Sequence, residues 1–156
     1  MSDAPPRIEL TVPRTTQYLG MVRKVVAMAA ARVGFPREEV DLIELAVDEA
    51  CSNAILYADD DSPATLSLEV AISETEFTIV LNDGGPCYDF EGKGNFQVEE
   101  QLGARESGGL GIYIIKTFMD EVCYEHSPET GSVITMTKLR PEVPAGIEYS
   151  RAGDRA

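Results

Sequence analysis

The sequence predicts an α+β domain: a two-layer sandwich in which a mixed, mostly antiparallel sheet is covered on one face by about three helices. Three observations carry this. Alternating stretches follow one another with no helix between them, Thr65–Ile72 with Glu76–Asn82 and Glu121–Ser127 with Ser132–Leu139. Apolar residues recur at helical spacing in other stretches. A hydrophobic content of 44% in 156 residues is enough for one core. Strands grouped apart from helices argue for α+β rather than a parallel βα repeat.

The elements follow in order. RIELTV (Arg7 to Val12) alternates and reads as a first strand. Thr15 or Thr16 is placed to cap the next helix. In that helix Leu19, Val22, Val25, Val26, Ala29 and Val33 recur with helical period, and Gly34 is the stop. Pro36, followed by Glu38 and Glu39, opens a second helix that runs to about Tyr57. ADDDSP (Ala58 to Pro63) ends it. TLSLEVAI and EFTIVLN, joined by Ser73 to Thr75, form a hairpin. A glycine-rich turn follows at Asp83 to Pro86.

Phe90 to Ser107 shows no period, and long loops of this kind serve as lids. The glycine cluster after it opens a third helix, to about Met119. EVCYEHS, the turn PETG and SVITMTKL make the last hairpin. The domain is expected over residues 7–140, with 141–156 a polar, flexible tail.

Thirteen basic residues face 27 acidic ones, a net charge of −14, which argues against a general nucleic-acid binder. The acid excess permits steering of a basic protein partner and equally serves solubility. Cys51, Cys87 and Cys123 are odd in number and hold no C-x-x-C pair. No disulfide framework or zinc site is expected; packing roles in a reducing cytoplasm are. The start, MSDAPPRIEL, lacks the pattern of a signal peptide, and the longest apolar stretch, Val25 to Ala31, is far short of a membrane span.

Three stretches bear on chemistry. On the second helix Leu42, Leu45, Glu49, Asn53 and Leu56 share one stripe, so Glu49 and Asn53 point the same way. A carboxylate there can act as a base, and an amide oxygen can ligate Mg²⁺. Alone, E-x-x-x-N is an ordinary polar pair. LNDGGPCYD (Leu81 to Asp89) puts Asp83 at a strand end, where its carboxylate could accept from an exocyclic amine. Gly85 would let a flat ring approach the backbone; alone, Asp-Gly is a plain turn signal. ESGGLGIYII (Glu106 to Ile115) clusters Gly108, Gly109 and Gly111 at a helix entrance, where unpaired N–H groups and the helix dipole favour phosphate. Alone it is a hinge. It is neither a P-loop nor a Rossmann fingerprint. All three in this order, within one small domain, are far less expected by chance.

In combination these motifs resemble the GHKL ATPase family, and within it the small bacterial anti-sigma factor serine kinases of the RsbW type, over roughly Ile8 to Leu139. FPREEVDLIELAVDEACSNAI is similar to their N box, DGGPCYD to a first glycine box, SGGLGIYIIKTFMDEV to the second, and SPETGSVITMTK to the closing hairpin. The resemblance implies a histidine-kinase-like (Bergerat) fold, ATP with Mg²⁺ as cofactor, and serine-kinase activity. It implies Glu49 as general base, Asn53 as Mg²⁺ ligand, and Asp83 on the adenine amine with Gly85 beside the ring. Gly108, Gly109, Leu110 and Gly111 would line the phosphates, and Arg105 or Lys93 would reach the terminal one from a lid over Phe90 to Ser107. Ser132 stands where a threonine near the adenine is common, Tyr57 where many relatives carry His, and Cys87 where many carry Pro.

The implied partners are an anti-anti-sigma protein of the STAS type, phosphorylated on serine, and a sigma factor sequestered by a homodimer. A non-catalytic, nucleotide-responsive binding module is the alternative. The catalytic half of a histidine kinase is a third reading, against which the only histidine, His126, falls in a predicted strand.

Overall fold

The computed structural model describes residues 4–87 and 109–142. Its elements are β1 (Arg7–Pro13), a 3-10 turn (Thr16–Tyr18), α1 (Leu19–Arg32), α2 (Arg37–Leu56), β2 (Thr65–Ile72), β3 (Glu76–Asn82), α3 (Gly109–Phe118), β4 (Glu121–Ser127) and β5 (Gly131–Leu139). The strands form one sheet in the order β1-β2-β3-β5-β4.

The expected mixed sheet is antiparallel at all of its pairings. Between β1 and β2, α1 and α2 form a helical hairpin. Two helices return the chain to the end of the sheet it left, so β2 runs back along β1, with Leu10 opposite Leu68. β3 and β4 both run antiparallel to β5, so β4 starts at the opposite end of the sheet from the one where β3 ends, with Asn82 opposite Val133 and Glu121 opposite Thr137. Both predicted β-hairpins form, with Ile72 opposite Phe77 and Ser127 opposite Gly131.

Strand alternation sorts the faces. Val12, Leu66, Leu68, Val70, Phe77, Ile79, Leu81, Ile134 and Met136 are buried on the face that meets the helices. Exposed Glu9, Thr11, Ser67, Asn82, Glu121 and Glu125 lie on the other face. From the helices, Val22, Val26, Ile43, Val47, Ala50, Ile112 and Ile115 complete the core. Phe35 packs edge-on against Phe77 with ring centroids 5.6 Å apart.

The helix ends follow local chemistry. Gly34 adopts φ 99°, and the Gly34 and Phe35 N–H groups donate to Ala31 and Ala30 carbonyls, a Schellman closure that seats Phe35 in the core. The expected threonine cap differs: Thr15 makes no side-chain cap bond. The chain enters α1 through the 3-10 turn instead, which begins the helix at Leu19. Pro36 precedes α2, with Glu38 and Glu39 in its first turn.

Two expectations are corrected. The apolar stripe through Leu42, Leu45, Glu49, Asn53 and Leu56 is not the core line of α2, since Leu45 and Leu56 are exposed. The core line runs through Val40, Ile43, Val47, Ala50 and Ala54, one residue around the helix, and leaves Glu49 at its edge. Of the cysteines only Cys51 packs inside; Cys87 and Cys123 are exposed, Cys123 because it lies on the uncovered face of edge strand β4. The expected lid, Phe90 to Ser107, and the tail beyond residue 142 lie outside the described residues. Among the described residues no helix is long and apolar enough to cross a membrane.

The antiparallel pairing places the end of β3 beside the start of β5, with Asn82 opposite Val133. Backbones crowd there. Gly131 adopts φ 70°, and a Cβ on it would enter the backbone of Gly84. Gly84 adopts φ 63°, and a Cβ on it would lie 2.7 Å from Pro63 Cγ. Gly131→Ala should therefore lower unfolding stability by about 2 kcal/mol or more, read by urea denaturation. A change below about 0.5 kcal/mol, the scatter of surface substitutions, would contradict this close approach.

Candidate functional site

Three of the four buried polar residues among the described ones gather at this crowded end of the sheet; the fourth, Thr137, lies toward the other end, opposite Thr78. Asn53, Asp83 and Ser132 are 3%, 4% and 0% exposed, a depth at which polar groups need partners. Asp83 and Ser132 continue the inward alternation of β3 and β5, so each takes a position that a core hydrophobe would otherwise fill.

The Asp83 turn is fixed from several sides. Its Oδ1 accepts from the Gly85 N–H at 2.6 Å. Its own N–H donates to the Ser132 carbonyl at 3.1 Å, and the Ser132 N–H donates to the Gly85 carbonyl at 3.2 Å. A Cβ on Gly85 would lie 2.9 Å from Asp83 Oδ1, so glycine there preserves the carboxylate's position. Burial pushes the Asp83 carboxyl above its ordinary range, outweighing the Gly85 hydrogen bond and the charges of Arg14 and His126, which pull it down.

The Ser132 hydroxyl is buried in a knot of oxygens. It lies 2.9 Å from the Pro86 carbonyl, 3.3 Å from the Gly85 carbonyl and 2.8 Å from the Tyr124 hydroxyl. Ser132 thus holds the glycine turn in place. Tyr124, which the sequence reading passed over, supplies its other partner.

On α2, the Asn53 side-chain nitrogen is buried and finds no hydrogen-bond partner among the described residues. A half-turn of the amide exchanges its nitrogen and oxygen. A buried amide with a free end suits a metal that needs few protein ligands. Among the described residues no group of three or more His, Cys, Asp or Glu could hold a metal by itself. One turn earlier lies half-buried Glu49, whose carboxyl is raised by burial and then by the charge of Asp48. Cys51, between them in sequence, is 1% exposed and its thiol is pushed up to about 12 by burial, then by Asp48 and Asp83, which makes it inert packing.

At the start of α3, Gly111 is buried against α2, and a Cβ there would collide with Glu49 Oε2. Glycine at 111 therefore lets the helix tip reach the carboxylate. Gly109 is the first residue of α3, and Leu110 is 44% exposed beside it. Gly108, Arg105 and Lys93 lie outside the described residues. The structure thus brings Glu49, Asn53, Asp83, Gly85, Gly111 and Ser132 to one end of the helix–sheet interface. His126 is exposed on β4 and reaches Asp83 only through its charge.

Arg14, just past β1, was not anticipated. Its Nε donates to the Pro63 carbonyl at 2.6 Å, its Nη1 to the Ala54 carbonyl at 2.8 Å, and its Nη2 to the Asp83 carbonyl. No period or motif marks it. Only the β1–β2 register, with Pro13 opposite Thr65, would have pointed there.

Comparison with known proteins identifies the family and the fold. A family model described as a histidine kinase-like ATPase domain matches residues 12–138. The serine-protein kinase RsbW of Halalkalibacterium halodurans is 33% identical, over 92% of this chain and 91% of its own. That of Bacillus subtilis is 31% identical over 84% of each chain. That of Bacillus velezensis is 30% identical over 88% of each. Among solved structures, the SiaB-SiaC complex of Pseudomonas aeruginosa contains a chain that superposes with a TM-score of 0.56 at 14% identity, over 85% of this chain and 89% of that one, a likeness of fold.

The raised Asp83 carboxyl has a consequence for stability. Between the ordinary carboxylate range and its raised value, the folded state keeps a proton that the unfolded state has lost. Stability therefore falls as pH rises through that window, and above it the penalty is constant. Asp83→Asn keeps an acceptor for the Gly85 N–H and removes the buried charge. Its melting temperature should exceed that of the wild type at pH 7, with the difference shrinking toward pH 4. A variant less stable than wild type at pH 7 would contradict the assignment.

Proposed function

The chain belongs to the histidine kinase-like ATPase family as a serine-protein kinase of the RsbW type, and from that premise we propose how its residues divide the work. Residues 7–140 form the ATPase domain and 141–156 a polar extension. ATP is the phosphoryl donor, and a serine on an anti-anti-sigma protein of the STAS type is the acceptor. The same protein, as a cytoplasmic homodimer, sequesters a sigma factor and so regulates transcription without touching nucleic acid. The net charge of −14 supports partners that are proteins.

The observation that carries the site assignment is the burial of Asn53 and Asp83 beside half-buried Glu49, where α3 begins. Asp83 Oδ1 is engaged by the Gly85 N–H, which orients the carboxylate and leaves its second oxygen to accept from the adenine amine. Gly85 offers the ring a face without a side chain. Ser132 keeps this turn closed. The N–H groups at the tip of α3, at Gly109, Leu110 and Gly111, would take the phosphates at the positive end of the helix dipole, and Gly108 is assigned to the same cradle by its place in the motif. Asn53 is the protein ligand for Mg²⁺. When bound, Mg²⁺ neutralises charge on the phosphate oxygens.

Glu49 is the general base. Its raised carboxyl shifts it toward the range where proton transfer from an alcohol is favoured. Gly111 holds the helix tip against it, so base and phosphate site share one wall. Arg105 or Lys93 is assigned to the terminal phosphate by its charge and its place in the sequence.

Incubation with γ-labelled ATP and a STAS-type partner should place acid-stable label on a serine of that partner. Glu49→Ala should lower the transfer rate at least about 100-fold, the scale of general-base catalysis, while ATP still binds. Full transfer by this variant would overturn the base assignment. Asn53→Ala should remove the Mg²⁺-dependence of ATP affinity in a calorimetric titration; an unchanged dependence would overturn the ligand assignment.

A further inference from the structure

The Arg14 guanidinium gives each of its three nitrogens to a different backbone carbonyl: Nε to Pro63, Nη1 to Ala54 and Nη2 to Asp83. These carbonyls belong to three separate segments: the last turn of α2, the loop after it, and the turn after β3. Arg14 is itself anchored, since its N–H donates to the Ala64 carbonyl at 2.8 Å at the start of β2.

Each contact has a reason. Ala54 lies in the last turn of α2, where carbonyls lack helical partners and the dipole is negative, so a cation is favoured there. Asn53 precedes it directly. The Pro63 ring packs under Gly84, so loop and turn already touch. The Asp83 carbonyl belongs to the residue whose carboxylate is buried in the site. A planar fork satisfies three acceptors in fixed directions; an ammonium on a flexible stem carries the same charge without that geometry.

We infer that Arg14 is a positioning residue that sets the spacing between the Asn53 end of α2 and the Asp83 turn, and so the distance between the metal and adenine ends of the nucleotide site. The inference rests on the nucleotide site proposed above. It gives a residue just past β1, remote in sequence from both motifs, control over how well they meet one ligand.

The test compares wild type, Arg14→Ala and Arg14→Lys by Mg-ATP titration and by amide hydrogen exchange without nucleotide. Arg14→Ala should weaken Mg-ATP about tenfold or more, the scale of one or two lost charge-assisted hydrogen bonds. Arg14→Lys should recover only part of this, because charge returns without the fork. KM for ATP should rise more than kcat falls, as expected when positioning of bound nucleotide is lost but the base is intact. In the same variants, exchange should quicken at Ala54–Ser62 and Gly84–Gly85 and stay unchanged across the β2–β3 pairing. Affinity within twofold of wild type, or full rescue by lysine, would overturn the inference. So would a uniform rise in exchange across the sheet, the mark of general destabilisation. If wild type itself binds no Mg-ATP, the site reading fails; exchange then decides the clamp alone, local quickening upholding it and uniform or absent quickening overturning it.

Discussion

The structure depends on a carboxylate kept where a hydrophobe would be more stable. Asp83 is 4% exposed at the end of an otherwise apolar line. A buried carboxylate is costly unless its oxygens are engaged. One oxygen takes the Gly85 N–H, and the Arg14 guanidinium sits on the same residue's carbonyl. These contacts reduce the penalty without cancelling it, because the carboxyl remains above its ordinary range. A residue that burdens the fold in this way is what makes this end of the core the candidate site.

Much of the surrounding architecture accommodates that turn. Gly131 and Gly84 stack backbone on backbone, and Pro63 presses on the second of them. Ser132 and Tyr124 close the carbonyls behind the turn. On the helix side, Gly111 lets α3 approach Glu49 closely. The glycines therefore differ in function. Those at 84 and 131 permit positive φ and tight packing, while the one at 111 brings a helix tip to a carboxylate. The even number of helices between β1 and β2 is what returns the chain so that Arg14 can reach the ends of α2 and β3.

Alternation and helical period made most of the fold legible. The two hairpins, the glycine stop at Gly34 and the acidic start of α2 appear where local chemistry places them. That every pairing is antiparallel was not legible, because pairing direction depends on how the intervening elements route the chain, a long-range property that periodicity does not carry. The α2 stripe was misread by one residue around the helix. Glu49 lies at the edge of the core line, and Asn53 is buried beside it. Candidate site residues that sit in motifs were legible as candidates. Arg14 and Tyr124 were not, because their roles come from carbonyls and a hydroxyl supplied by distant segments.

The central claim is that one Mg-ATP occupies the end of the core where Asn53, Asp83, Ser132 and the tip of α3 meet. Backbone amide NMR during a Mg-ATP titration tests it most directly. The account predicts a single saturable transition, with the largest shifts at Asn53, Asp83 to Gly85, Gly109 to Gly111 and Ser132. Shifts centred instead on the uncovered sheet face around Thr11, Ser67 and Asn82, or no shifts at millimolar nucleotide, would contradict it.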